Sequence, residues 1–195
     1  MRIFFDTEFT GLHQNTTLIS IGLVSEDDES FYAELTDFDR RQIDLWIQNN
    51  VIENLWLVGD EDCWRGTVEN PLVKGPRGVV AQRLQTWLAR QSTKNAVYGD
   101  LRNAFPDRHP QKLEMWSDCY AYDWVLFCDL FGGAFGVPDC VYYIPFDLST
   151  LLKVRGIDPD ISREEYAGLT GGAAKHNALW DAKVIRACYE KAAAV

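Results

Sequence analysis

Basic residues are scarce in this chain of 195 residues. Lysine and arginine together number 19, against 29 aspartate and glutamate residues, so the formal net charge is −10 at pH 7. A chain of this charge does not fit the class of proteins that hold phosphate backbones by general electrostatic attraction. Any polyanionic ligand would therefore have to be held locally.

Paired cysteines and long apolar runs are also lacking. The cysteines form an odd set without a C-x-x-C pair, which argues against both a disulfide framework and a structural zinc site. The apolar start of the chain runs directly into Asp6 and Glu8, so it is too short for a signal peptide or a membrane span. We therefore expect a soluble, cytoplasmic protein. The cysteines are Cys63, Cys119, Cys128, Cys140 and Cys188.

Apolar material, in contrast, is plentiful. Hydrophobic residues make up 47% of the chain and aromatic residues 13%, which is enough to form one packed core at this length. We predict a single domain over residues 1–195, with an elaboration of the basic fold at about 57–112.

The first part of the chain has the pattern of β-strands. Residues 2–9 alternate between two faces, which is the periodicity of a strand. Residues 17–24 and 31–35 are apolar and β-rich, and they flank an acidic turn at 25–30. Together these segments predict an antiparallel meander.

Helical patterns dominate the rest of the chain. Helices are predicted at about 39–51, 79–91, 121–131, 147–154 and 177–193, and a short strand is predicted at 112–117. Residues 58–78 show no periodicity and are predicted to be a loop or part of the elaboration. Strands in sequence, followed by helices that alternate with a further strand, predict an α/β fold with a mixed sheet flanked by helices.

Two acidic side chains lie on the first predicted strand. Asp6 and Glu8 are separated by one residue, so the alternation of a strand points both carboxylates to the same face. Buried anions are tolerated when they are paired or bind a metal, and clustered carboxylates suit Mg²⁺ or Mn²⁺. The pair alone is more typical of acids at a solvated edge or turn, so it indicates a metal site only together with further ligands.

A third acid stands in the middle of the chain. Asp123 lies at the start of an apolar helix just after a predicted strand, and Asp118 is a rival for the same role. A carboxylate at this position also complements the helix dipole without any ligand, so the residue type alone leaves both readings open.

His176 and Asp181 flank the start of the last helix. At about 100° per residue they would lie about 140° apart on one helix, so they converge only if His176 precedes the helix. A cap at Asn177 would permit this arrangement and would leave His176 on the preceding loop, where it is suitable as a base.

Together these segments resemble the DEDDh superfamily of 3′-5′ exonucleases. Residues 6–12, DTEFTGL, are close to the D-T-E-T-T-G-L opening of that superfamily, and residues 176–182, HNALWDA, match its H-x-A-x-x-D-A closing segment. The middle aspartate of the superfamily follows an aromatic residue and precedes apolar ones, which fits Asp123 and not Asp118. The opening MRIFFDTEF and the segment AYDWVLF are most similar to the small bacterial RNase AS-type exoribonucleases.

The resemblance implies a ribonuclease H-like fold and two Mg²⁺ or Mn²⁺ ions, which clamp the attacking water and the leaving 3′-oxygen. In that arrangement Asp6 bridges the ions, and Glu8 and Asp181 complete the first metal site. Asp123 holds the second ion, directly or through water, and His176 deprotonates the attacking water.

The resemblance also implies a substrate, the 3′ end of single-stranded RNA, from which 5′-mononucleotides are released. The terminal nucleotide would lie against Thr7, Phe9, Gly11 and Leu12. An exodeoxyribonuclease of the same fold is the first alternative, because no residue in the sequence identifies a contact to a 2′-hydroxyl. A non-catalytic nucleic-acid-binding module is the second alternative, and the sequence leaves a homodimer open.

Overall fold

A mixed β-sheet with helices on both faces forms the centre of the protein. A computed structural model describes residues 1–57, 59, 62–97, 112–169 and 176–194. The sheet has seven strands in the order β4-β5-β3-β2-β1-β6-β7. The strands are β1 (Arg2–Phe9), β2 (Leu18–Ser25), β3 (Ser30–Leu35), β4 (Cys63–Gly66), β5 (Pro71–Gly75), β6 (Glu114–Ser117) and β7 (Phe146–Asp147).

The predicted antiparallel meander is confirmed, and it forms the middle of the sheet. β2 pairs antiparallel with both β1 and β3. β6 pairs parallel with β1, and β7 pairs parallel with β6, so the sheet is mixed. On the other side β5 pairs parallel with β3, and β4 pairs antiparallel with β5.

Six α-helices are described, and four of them cover the two faces of the sheet. α2 and α3 pack against the face that carries Phe5, whereas α4 and α6 pack against the face that carries Phe4. Adjacent residues of a strand point to opposite faces, so β1 contributes to both layers. The helices are α1 (Leu45–Asn50), α2 (Arg77–Val97), α3 (Tyr120–Leu130), α4 (Leu148–Val154), α5 (Arg163–Ala167) and α6 (Ala178–Ala193). This architecture confirms the predicted α/β class and is consistent with a ribonuclease H-like fold.

The prediction of a loop at 58–78 was wrong in part, because β4 and β5 lie within it. β5 has only five residues, and it gains backbone partners from β3, which is distant in sequence. In the segment 57–112, β4 and β5 extend the central sheet and α2 packs on one of its faces, while the interpretation of this segment as an elaboration of the basic fold stays a prediction. Its positions 58, 60, 61 and 98–111 lie outside the described residues.

The helix predicted at 39–51 is divided into two pieces. Asp39 caps a single 3₁₀ turn, after which the chain becomes extended at Asp44. The side chain of Asp44 then accepts a hydrogen bond from the backbone N–H of Ile47 and starts α1 anew. Two capping aspartates thus replace one continuous helix with two short ones. Among the described helices, none combines the length and the apolar character needed to span a membrane.

Gly22 allows the start of α6 to lie directly on the sheet. A Cβ atom at this position would overlap the backbone of Ala178 and Leu179. Gly22 is the register partner of Asp6 in the antiparallel pair, so both residues face α6. The absence of a side chain at Gly22 therefore brings the first turn of α6 close to the acidic end of β1.

We predict that Gly22→Ala displaces the first turn of α6 and lowers the free energy of unfolding by about 1–3 kcal/mol, the usual cost of overpacking. Urea denaturation measures the change. Gly78→Ala, in α2, is the matched control, because nothing lies within 4 Å of a Cβ atom there. Equal stability of the two variants would show that α6 does not depend on contact with Gly22.

Candidate active site

The predicted catalytic and metal-binding residues all line one cavity. This cavity has a volume of about 480 Å³ and lies at the carboxyl end of β1. β1 contributes two of the residues, α3 one, the first turn of α6 one, and the position just before the N-cap of α6 the fifth. The five residues are Asp6, Glu8, Asp123, His176 and Asp181.

A first group of acids comes from β1 and α6. Asp6, Glu8 and Asp181 each offer a carboxylate oxygen, and these oxygens lie within 4.8 Å of one another. The alternation of β1 directs Asp6 and Glu8 to the face covered by α6. Asp181 belongs to the first turn of α6, where its backbone N–H donates to the carbonyl oxygen of Asn177.

A second group shares Asp6 with the first. Carboxylate oxygens of Asp6, Asp118 and Asp123 also lie within 4.8 Å of one another. Asp123 comes from α3, on the opposite face of the sheet, and only 1% of its surface is exposed. Thr7 donates a hydrogen bond of 2.6 Å from its hydroxyl to Asp123 Oδ1. The sequence treats Asp118 and Asp123 as rivals, but the fold brings both to the cavity.

His176 lies immediately before α6, as the sequence predicts. Asn177 is the N-cap residue, and its side-chain oxygen accepts hydrogen bonds from the backbone N–H groups of Leu179 and Trp180. His176 itself has a φ of 62°, in the left-handed region that non-glycine residues seldom adopt. This turn directs the chain into the helix and leaves His176 at the cavity.

The sequence pattern of one protein family covers this whole arrangement. The family described as the Rv2179c-like 3′-5′ exoribonuclease domain matches residues 1–192. The chain belongs to this family. Two proteins of Mycobacterium tuberculosis are similar to it: 3′-5′ exoribonuclease MT2234.1 of strain CDC 1551 / Oshkosh and 3′-5′ exoribonuclease Rv2179c of strain ATCC 25618 / H37Rv. Each is 30% identical over 156 residues, which cover 80% of this chain and 76% of the relative.

Crowding of carboxylates perturbs the electrostatics of this Rv2179c-like site. Burial, followed by the charges of Asp181 and Asp123, raises the pKa of Glu8 to about 8. Burial raises the pKa of Asp123 to about 7, although the hydrogen bond from Thr7 opposes the shift. The pKa of Asp6 is raised well above its ordinary value by burial and by the neighbouring acids. Ionised carboxylates at this site thus lack sufficient compensating charge from the described residues.

The donor set fits divalent cations that prefer oxygen ligands. Asp123 Oδ2 is buried and makes no hydrogen bond to the described residues. An acceptor of this kind is costly to bury, and a cation would supply the missing interaction. Two overlapping groups of carboxylates, with Asp6 common to both, match the oxygen ligands that Mg²⁺ and Mn²⁺ take.

The residues predicted to bind substrate have different surroundings. Thr7 is buried, and its hydroxyl donates a hydrogen bond to Asp123. Phe9 lines the cavity and stacks on Tyr122, with ring centroids 5.3 Å apart. Gly11 has a φ of 148° in the loop after β1, and the next residue, Leu12, is 73% exposed. Phe9 thus offers apolar surface beside the acids, and Leu12 offers exposed apolar surface in the loop after β1, whereas the Thr7 hydroxyl bonds to Asp123.

Sequence reasoning missed Arg163, whose guanidinium lies at the edge of the cavity. Its Nε donates to Asp118 Oδ2 at 3.2 Å, and another guanidinium nitrogen donates to Ser149 Oγ at 2.9 Å. The helix that carries it, α5, is too short to show periodicity in the sequence. A usable signal was the S-x-x-E pattern of Ser162 and Glu165, since Ser162 caps α5 through the backbone N–H of Glu165.

The raised pKa values predict how stability depends on pH when divalent ions are chelated. The ordinary pKa of glutamate is 4.5, whereas that of Glu8 is about 8 in the fold. Between these values the folded protein binds more protons than the unfolded chain. The free energy of unfolding is therefore expected to fall as the pH rises through this window.

Thermal unfolding in EDTA across this pH range measures the effect. Glu8→Gln should flatten the decline, and Asp139→Asn, which changes an exposed acid, should leave it unchanged. Stability that rises over the same range would contradict the electrostatic account of the site.

Proposed function

We propose that the chain is a metal-dependent 3′-5′ exoribonuclease of the DEDDh type, closest to the RNase AS-type enzymes. In this proposal it releases 5′-mononucleotides from the 3′ end of single-stranded RNA. Membership of the Rv2179c-like family supports an exoribonuclease. The metal-dependent mechanism is supported by one observation: two clusters of acids share Asp6 and lie in the same cavity as His176.

Two divalent ions would be held by the two groups of acids. Asp6, Glu8 and Asp181 would hold one ion, and Asp6 and Asp123 would hold the other. When bound, the ions would offset the negative charge that develops on the phosphate oxygens during in-line displacement. They would also supply positive charge for substrate binding that a chain of net charge −10 otherwise lacks.

Charge compensation favours Asp123 over Asp118 as the fourth metal-binding acid. Asp118 has a cationic partner, because Arg163 Nε lies 3.2 Å from its carboxylate. Among the described residues, no lysine or arginine forms an ion pair with Asp123; its Oδ2 is buried without a hydrogen bond to them, and its Oδ1 accepts from the Thr7 hydroxyl. The carboxylate with less internal compensation gains more from a cation.

His176 would act as the general base. A neutral imidazole can accept the proton of the attacking water, and His176 lines the same cavity as the metal-binding acids. The proton of the water would pass to His176 as the water oxygen attacks the phosphorus, the bond to the 3′-oxygen of the preceding nucleotide would break, and that oxygen would take a proton from solvent. Phe9 and Leu12 would provide the apolar surface for the terminal base.

We expect stepwise release of 5′-mononucleotides from a free 3′ end of RNA, with Mg²⁺ or Mn²⁺ and not with EDTA. RNA and DNA oligomers labelled at either end, incubated with each ion, test polarity and sugar preference together. An RNA with a 3′-phosphate block and a circular RNA are the matched controls, and both should resist cleavage. Internal cuts in the circle would reject an exonuclease, and preferred cleavage of DNA would favour the exodeoxyribonuclease alternative.

We predict that Asp6→Asn and Asp123→Asn abolish cleavage without unfolding the protein, because each removes a metal-binding charge at almost constant volume. Loss of like-charge repulsion should also stabilise both variants in EDTA. Asp118→Asn should reduce cleavage far less than Asp123→Asn, since Asp118 is compensated by Arg163. Single-turnover rates and metal titration by calorimetry measure these effects. If Asp118→Asn reduced cleavage more than Asp123→Asn, Asp118 would be identified as the fourth metal-binding acid.

A further inference from the structure

We infer that Trp46 is a positioning residue for His176 and holds its imidazole in the orientation needed for proton transfer. The inference rests on the proposed function, in which His176 is the general base. Trp46 belongs to α1, far from the acidic motifs in the sequence, and none of the metal-binding acids lies on its helix.

The indole of Trp46 and the imidazole of His176 are in edge contact. Their ring centroids are 5.2 Å apart, and the ring planes meet at 72°. Edge-to-face contacts at this separation are favoured by the charge distribution of aromatic rings, and they restrict the torsion angles of both side chains. The contact thus restricts the side-chain torsion angles of His176, which backbone geometry alone does not determine.

The residue after His176 is held by two hydrogen bonds of its side chain. Nδ2 of Asn177 donates to the hydroxyl of Tyr32 at 3.2 Å and to the carbonyl oxygen of Asn54 at 3.3 Å. His176 itself has a φ of 62°, in the left-handed region that non-glycine residues seldom adopt. The two hydrogen bonds act on the residue that follows His176, whereas Trp46 contacts the imidazole itself.

The cap and the packing of α1 hold the backbone of Trp46 in place. Asp44 caps the helix, and Ile47 is buried with Ile19 of β2 and with Val51. The helix is therefore fastened to the centre of the sheet, although the indole itself is 55% exposed. Because more than half of its surface is exposed, Trp46 contributes little to the core. Its ring contact with His176 links it to the active site.

The expected consequence is a loss of turnover without a loss of binding. General-base catalysis requires the imidazole within hydrogen-bond reach of the attacking water, and small misplacements reduce the rate strongly. We expect Trp46→Leu to lower kcat by about 10- to 100-fold, with KM and metal affinity little changed. Trp46→Phe keeps an aromatic ring and should recover much of the rate.

A double-mutant cycle with His176→Ala tests whether Trp46 acts through His176. His176→Ala alone should lower the rate by about 10²–10⁴-fold. Adding Trp46→Leu to it should have no further effect, because the ring that Trp46 orients is then absent. Trp64→Leu, which removes an indole of similar exposure from β4, is the matched control and should leave the rate unchanged. If Trp46→Leu lowered the rate equally in the wild-type protein and in His176→Ala, or if it changed only KM, the inference would be overturned. Either result would indicate that Trp46 contacts RNA directly.

A second measurement does not depend on activity. The chain has three histidines, so the ring signals of His176 can be identified in an NMR spectrum by their loss in His176→Ala. Trp46→Leu should shift these signals in the metal-free protein, because the ring current of the indole is removed. Unchanged signals would overturn the inference. If Trp46→Leu shifts these signals but the wild-type protein cleaves no RNA, the contact is supported and the proposed function is rejected.

Discussion

Mutual repulsion among carboxylates at the carboxyl end of β1 is the constraint on which the rest of the structure depends. Asp6 belongs to both acid groups, and burial together with the neighbouring charges raises its pKa well above the ordinary range. A cluster of this kind opposes folding when ionised, so the surrounding core must hold it together. Packing on both faces of the sheet does so, with α3 on one side and α6 on the other.

Close approach and hydrogen bonding determine where each acid lies. Gly22 lets α6 contact β2 directly opposite Asp6. Thr7 draws Asp123 to β1 across the end of the sheet. A buried polar network then holds Asn177, the N-cap residue of α6: the Tyr32 hydroxyl donates to Glu34 and accepts from Asn177. Because these contacts come from different strands, a shift of one strand would disturb the acids and His176 together.

Much of the fold could be predicted wherever local pattern and tertiary environment agree. The alternation of β1 and the cap of α6 at Asn177 both act over a few residues, and the structure bears out both. β5 and α5 were missed, because each is short and depends on partners distant in sequence. The long helix expected after Asp39 failed for another reason, since a second capping residue, Asp44, interrupts it.

The sequence by itself determined which groups are available for chemistry and the family to which the chain belongs, because motif spacing in strands and helix starts is local. Only the tertiary structure decided that Asp118 joins Asp123 at the cavity, that Arg163 compensates Asp118, and that Trp46 meets His176. These relations join side chains from separate elements. Their distances depend on how the helices pack on the sheet, and no periodicity along the chain encodes that packing.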